Sequence, residues 1–214
     1  MLRILASTAA LLGMCVLLIG SSAQAATILD IAAIETQMDT DYAQAGMNID
    51  IQFNAFAPSI LSASLWDIDD ATELSQLFAL APATSPTVNM FFVNNINFCG
   101  TAGVFNGCAT IGGNTMVMAA AYLSDTGSHE LGHNLGLPHF NDDPTNVMYP
   151  VSPPIGTVFT NAQGAVVNGS SLVQNIGAGD FVKITPVNVL VPEPATGALV
   201  MLGLAGLAAR RRSR

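Results

Sequence analysis

The chain has three histidines, and all of them lie between positions 129 and 139, in the pattern H-E-x-x-H-x-x-G-x-x-H. Two histidines four residues apart lie on the same face of a helix, so His129 and His133 can bind one metal ion together. Gly136 can adopt a positive φ and end that helix, and Pro138 prevents it from resuming. The turn would bring His139 to the ion from another side. Three neutral imidazoles leave a fourth position open, which is typical of a catalytic rather than a structural zinc site.

Glu130 follows the first histidine directly. It lies about 100° further around the helix, where a carboxylate can reach a metal-bound water. The alternative is an ordinary surface helix with two solvated histidines. All three histidines of the chain fall at ligand spacing, which argues against that alternative.

This run resembles the zinc signature of the metzincin metalloproteases, and residues 146–150, N-V-M-Y-P, resemble their Met-turn, most closely that of the matrixin branch. The resemblance covers Gly127 to Pro150. It implies an α+β, metzincin-type catalytic domain: a twisted mixed sheet with an active-site helix that carries the zinc motif. It also implies that Met148 forms an apolar floor under the zinc, a role compatible with plain core packing. Metzincins with a tyrosine ligand place it two residues after the methionine, so Tyr149 is not predicted to bind metal.

The activity that the resemblance implies is that of an exported zinc endopeptidase acting on peptides or proteins. Zn²⁺ held by His129, His133 and His139 would lower the pKa of a bound water to about 7. Glu130 would act as general base and pass the proton to the leaving amine. One alternative is a non-proteolytic, zinc-containing cell-surface or extracellular-matrix protein, against which the intact Glu130 argues. Another is an extracellular binding module with an incidental motif, which should bind no zinc.

Residues 1–25 have the pattern of a secretory signal peptide. Arg3 supplies the positive charge, Leu11 to Ile19 form a short apolar run, and residues 23–25 read A-Q-A. The mature chain is therefore expected to begin at Ala26, with the catalytic domain over residues 26–190. A retained membrane anchor is the less favoured alternative, because the apolar run is short.

The C-terminal residues 191–214 contain V-P-E-P, an apolar run from Ala195 to Ala209 and a cluster of four arginines. This order resembles the PEP-CTERM sorting signal, which an exosortase processes in Gram-negative bacteria. It implies a secreted or cell-surface protein that associates transiently with the membrane through this tail. The alternative is a simple C-terminal membrane anchor, whose basic residues would stay on the cytoplasmic side.

The charged residues are unevenly distributed. There are 15 acidic and 6 basic residues, and Lys183 is the only basic residue between Arg3 and Arg210. An acidic mature domain is unsuited to nucleic acid, which needs a basic surface. Cys99 and Cys108 remain after removal of the signal peptide, and export into an oxidising compartment predicts a disulfide between them. Two free thiols or a second metal site are the alternatives.

Two acidic groups could bind calcium. They are Asp67 with Asp69 and Asp70, and the pair Asp142 and Asp143. Neither has the spacing of a calcium-binding loop, so calcium is possible but unsupported. The prediction is that these carboxylates form helix caps and turns.

Hydrophobic periodicity predicts three helices and four strands. The helices are expected at residues 28–45, 69–80 and 160–174, and the strands at 48–53, 61–67, 87–93 and 115–121. The strand at 87–93 is expected to be buried, and the Gly- and Asn-rich residues 94–114 are predicted to form a loop. Gly46 should cap the first helix, Asp69 or Asp70 should start the second, and Thr160 should start the third.

The resemblance also suggests how a substrate would be bound. In metzincins an edge strand before the active-site helix pairs with extended substrate, so Met116, Val117, Met118 and Ala119 are the candidates for that strand. An ordinary core strand is equally compatible with these residues. Residues 150–154 would wall the pocket for the substrate side chain that follows the scissile bond.

Overall fold

The computed structural model describes residues 31–44, 46–55, 57–59, 65–119, 126–150, 156–177 and 179–189. All of them belong to one compact unit, Leu29–Val191. The signal peptide predicted at 1–25 and the tail predicted at 191–214 lie outside the described residues. The same holds for residues 151–154 of the expected pocket wall.

The described residues form a mixed α and β fold. The helices are α1 (Ile31–Tyr42), α2 (Ala71–Phe78), α3 (Thr126–Asn134) and α4 (Asn161–Asn168). The strands are β1 (Ile49–Phe53), β2 (Ala57–Ser59), β3 (Asp67–Ile68), β4 (Val88–Val93), β5 (Asn95–Phe98), β6 (Ala102–Phe105), β7 (Gly107–Ala109), β8 (Thr115–Ala119), β9 (Gln174–Asn175) and β10 (Asp180–Val189).

The main sheet has the strand order β1-β10-β4-β8-β7. Strands β1, β10, β4 and β8 run parallel to one another, and β7 pairs antiparallel to β8. Short strands β2 and β9 also pair with β10, and β3, β5 and β6 form a separate three-stranded sheet. The predicted α+β class with a mixed sheet is confirmed at this level.

Alternating side chains of the central strands separate two apolar cores, as the two-residue period of a strand requires. Met90 and Met116 face the core that contains α1 and α3. Phe91 and Val117 face the core that contains Leu77 of α2. All six residues of β4 are buried, which confirms the prediction for 87–93. The helix with the histidine motif therefore packs on one defined face of the sheet.

The strand β10 was not predicted from the sequence, although it lies in the middle of the sheet. It pairs with β1 over residues 180–184 and with β2 over residues 187–189. Pro186 lies between these two pairings and cannot donate a ladder hydrogen bond. A proline in a short polar-apolar segment argues against a central strand in sequence reasoning. Here it occupies the position where the strand changes partner.

The prediction of a loop over residues 94–114 is wrong, because β5, β6 and β7 lie within it. The edge-strand interpretation of Met116, Val117, Met118 and Ala119 is also wrong. Strand β8 is hydrogen-bonded to β4 on one side and to β7 on the other, and these four side chains are buried. The edge strand is β7, which contains glycine, cysteine and alanine and thus lacks the β-branched residues that mark strands.

Several boundaries also differ from the sequence prediction. Helix α4 begins after Thr160, which forms the expected cap, but it ends at Asn168 because Gly169 is its C-cap. Residues 174–175 form β9 instead of continuing the helix. In the described part of the second predicted strand, only Asp67 is extended, as the start of β3. Asp70 caps α2 as predicted.

The other edge of the main sheet, β1, is covered by carboxylates of α1. Asp39 accepts a hydrogen bond from the Ile51 N–H at 2.6 Å, and Glu35 accepts one from the Phe53 N–H at 3.0 Å. Edge N–H groups are a template for pairing with another chain, and these carboxylates occupy two of them. Strand addition is therefore blocked at these positions of β1.

Candidate metal centre and its cleft

Helix α3 presents the motif from a buried position. All nine of its residues are buried, including His129, Glu130 and His133. The helix ends as predicted: Gly136 has φ +103°, and the Leu137 N–H donates to the Gly132 carbonyl at 2.9 Å. This turn carries the chain back past the end of the helix to His139, which is exposed.

The three histidines converge, as their spacing predicts. Their ligand atoms all lie within 4.8 Å of one another, and Nε2 of His133 is 3.2 Å from Nε2 of His139. Two nitrogens bound at zinc distances and a tetrahedral angle would be about 3.3–3.4 Å apart. Among the described residues, this is the one cluster of three or more potential ligands that can hold a metal ion.

Backbone carbonyls fix two of the imidazole rings. Nδ1 of His129 is 2.7 Å from the Val147 oxygen, and Nδ1 of His133 is 2.7 Å from the Leu137 oxygen. A carbonyl only accepts hydrogen bonds, so each Nδ1 carries the proton when the ring is neutral. In both rings Nε2 then carries the lone pair that a metal would use, and the rings are already oriented.

Burial favours the neutral forms of the three histidines and of Glu130. Desolvation lowers the pKa of His129 to about 4 and also lowers the pKa of His133 and of His139. Neutral imidazoles are the form that binds metal. Desolvation raises the pKa of Glu130 to about 8. A bound cation would favour the carboxylate and oppose that shift.

Met148 packs against helix α3 at Gly132. It is fully buried, and its sulfur lies where a side chain on Gly132 would have to be. Its N–H donates to the Asn146 side-chain oxygen at 2.9 Å, and the Phe140 N–H donates to its carbonyl at 2.8 Å. This turn therefore contacts both the helix and the segment that follows His139.

A second support comes from α1 and was missed by sequence reasoning. The Tyr42 hydroxyl donates to the Ser128 carbonyl at 2.8 Å, and the Ser128 hydroxyl donates to Asp41 at 2.6 Å. All three residues are buried. These bonds hold the backbone immediately before His129. No local sequence signal reveals a contact between residues more than eighty positions apart.

The three histidines line a cleft of about 540 Å³. It is lined by residues of β6, β7 and α3, by His139, and by Tyr149 and Pro150. Val104 and Ile111 contribute to the lining although 87% and 58% of their surfaces are exposed. Glu130 is the one carboxylic acid among the lining residues, and none of them is lysine or arginine, so the cleft suits an uncharged or apolar segment.

The acidic groups considered for calcium have other partners. Asp67 accepts hydrogen bonds from the side chains of Asn94 and Asn95, and Asp143 accepts two from Thr145. Asp70 caps α2. The predicted role as caps and turns is confirmed for Asp70 and Asp143. It is wrong for Asp67, which lies in β3 and bonds to the asparagines at the start of β5.

The predicted disulfide between Cys99 and Cys108 is present. It joins the residue after β5 to the middle of the edge strand β7. Cys99 also lines the cleft, so the bridge lies beside the candidate site.

Comparison with known families identifies the tail. Residues 190–212 match the family described as the PEP-CTERM protein-sorting motif. The motif indicates an extracellular or cell-surface protein that is processed at its C-terminus by an exosortase-type enzyme. A search of the curated proteins finds no match to the chain. No helix in the described ranges is long and apolar enough to cross a membrane.

Proposed function

We propose that the protein is an exported zinc-dependent endopeptidase of the metzincin type. The observation that carries the proposal is the convergence of three imidazoles in the lining of an open cleft, with Glu130 on the same helix as two of them. The glycine turn before His139 and the buried Met148 packed against the helix support the same assignment. The sorting motif supports export.

The donor set fits zinc, because it consists of three neutral imidazoles oriented by backbone carbonyls. His129, His133 and His139 would hold the ion, which when bound supplies Lewis acidity toward water and the scissile carbonyl. Glu130 takes a proton from the attacking water and delivers it to the leaving amine. Burial raises the pKa of Glu130 and so favours its protonated, neutral form, which helps the side chain to accept the proton.

The edge strand β7 supplies a way to bind substrate. An extended peptide can add to a free sheet edge through main-chain hydrogen bonds. Strand β7 lines the cleft, whereas Asp39 and Glu35 occupy edge positions of β1. We therefore place the substrate strand along β7, with the scissile bond over the three histidines.

Substitutions of the neighbouring residues His129 and Glu130 test the proposal, because loss of a metal ligand and loss of a general base have different effects. His129→Ala should lose zinc and all peptidase activity. Glu130→Gln keeps the shape of the side chain, so zinc should stay bound while peptide cleavage falls by roughly 10²–10⁴-fold. Zinc content and cleavage of a fluorogenic peptide library are measured on exported protein purified without chelators.

Three outcomes contradict the proposal in different ways. Full activity in Glu130→Gln would remove the general-base role. Zinc-free wild-type protein would remove the metalloprotease assignment and favour a binding module. Zinc-loaded wild-type protein that cleaves no peptide would favour a non-proteolytic surface protein.

A further inference from the structure

Strand β7 comes unusually close to the side chain of Glu130. A Cβ atom at Gly107 would lie 2.5 Å from both Cγ and Oε1 of Glu130 and 2.6 Å from the Thr126 methyl carbon. Carbon atoms in contact are normally about 3.5–4.0 Å apart. The space that a side chain at position 107 would fill is therefore already occupied by the Glu130 carboxyl group.

Other contacts hold both β7 and α3 in place. Strand β7 is paired with β8, and Cys108, the residue after Gly107, is bound to Cys99. Helix α3 is held at its start by the Tyr42 bond to the Ser128 carbonyl. At its end, the Asn134 side chain donates to the carbonyls of Thr110, which follows β7, and of Thr115, the first residue of β8, both at 3.0 Å.

We propose that Gly107 is a positioning residue for Glu130: the bare backbone of β7, fixed by the neighbouring disulfide, sets where that carboxylate lies in the cleft. The inference rests on the proposed peptidase function. A general base must come within about 2.6–3.2 Å of the atom that carries the proton it takes. A methyl group at position 107 forces the carboxylate into another rotamer, and a displacement of about 1 Å can cost roughly 10²-fold in rate.

The test is Gly107→Ala in the full-length exported protein. The expected result is a roughly 10²-fold lower kcat, with KM changed by less than about twofold and with one zinc still bound. Gly169→Ala is the matched control, because Gly169 has φ −84° and its Cβ would make only ordinary contacts of 3.5 Å. It should leave both kinetic constants unchanged.

A double-mutant cycle on stability measures the contact between residues 107 and 130 without an activity assay. Gly107→Ala should lower the urea midpoint of the wild type more than that of Glu130→Ala, where the obstructing carboxyl group is gone. If Gly107→Ala does not fold, Gly107→Ala/Thr126→Ser removes the methyl obstacle and leaves Glu130 as the group displaced.

The outcomes separate this inference from the proposed function. Wild-type kcat in Gly107→Ala, or equal midpoint shifts in the two backgrounds, would overturn the positioning role. Loss of zinc with loss of activity would also overturn it, since the effect would then be on the metal centre. A zinc-loaded wild type without peptidase activity would overturn the proposed function, while the cycle would still report whether residues 107 and 130 touch.

Discussion

Replacing Cys99 and Cys108 together by alanine should lower the stability of the folded domain substantially. The bridge spans a sequence separation of 9. In the chain-entropy account, closing a loop of this length removes enough unfolded-state entropy to stabilise the fold by about 2.5–3 kcal/mol at 25 °C. Alanine is the better replacement at position 108, because the Cys108 side chain is buried among apolar groups and a serine hydroxyl would be left there without a partner.

The size of the effect makes it easy to measure. Each kcal/mol shifts Tm by roughly 2–4 °C in a domain of this length, so the double variant should melt about 5–12 °C below the oxidised wild type. Urea unfolding gives the same comparison at constant temperature. Reduced wild type should fall close to the double variant, and reductant should have no effect on the variant itself.

Two results would refute this reasoning. One is a Tm difference of less than about 2 °C between the oxidised wild type and the double variant, since that corresponds to under roughly 1 kcal/mol. The other is an intact mass of the unreduced protein that corresponds to two free thiols. Either result would mean that the cross-link does not constrain the unfolded chain as the loop length requires.

Three further predictions concern other parts of the molecule. Burial raises the pKa of Tyr42 well above 10.0, so above about pH 10 the tyrosine of the unfolded state loses its proton first and the stability of the fold decreases. Urea midpoints measured from pH 8 to 11 should therefore decrease less in Tyr42→Phe than in the wild type. Gly132→Ala forces a methyl group against Met148 and should destabilise the domain by about 1–3 kcal/mol, measured by urea unfolding, with weaker zinc binding on titration. Protein from the native host should begin at Ala26 and lack the tail by mass spectrometry, and a retained Arg214 would contradict this.

The candidate metal centre could be predicted from the sequence because its geometry is local. Spacings of four and six residues place His129, His133 and His139 around one point once a helix and a glycine turn form. The same applies to the strand β4, whose apolar run is buried wherever it is placed. Such features depend little on the rest of the chain.

The surroundings of the site could not be predicted, because they depend on distant pairings. The bond from Tyr42 to Ser128 spans 86 residues. The edge strand β7 contains Gly107, where a side chain would collide with Glu130. No residue pattern in the sequence reveals this close approach. Strand β10 contains Pro186, and only its position between two partner strands explains why a proline is tolerated there.

The placement of β10 sets the order in which this protein can assemble. Strand β10 (residues 180–189) lies between β1 and β4, so these two strands belong to one sheet only after β10 has paired with both. Synthesis starts at the N-terminus, and β10 is the last described strand of the chain. The parallel sheet that supports α3 is therefore complete only after this strand has been synthesised.

The sorting motif begins at residue 190, directly after this strand. The strand that completes the main sheet and the motif that is processed thus fall on adjacent residues of the chain. A chain truncated before residue 180 would lack both the central strand and the sorting motif. A molecule that carries the motif therefore also carries every described strand of the sheet.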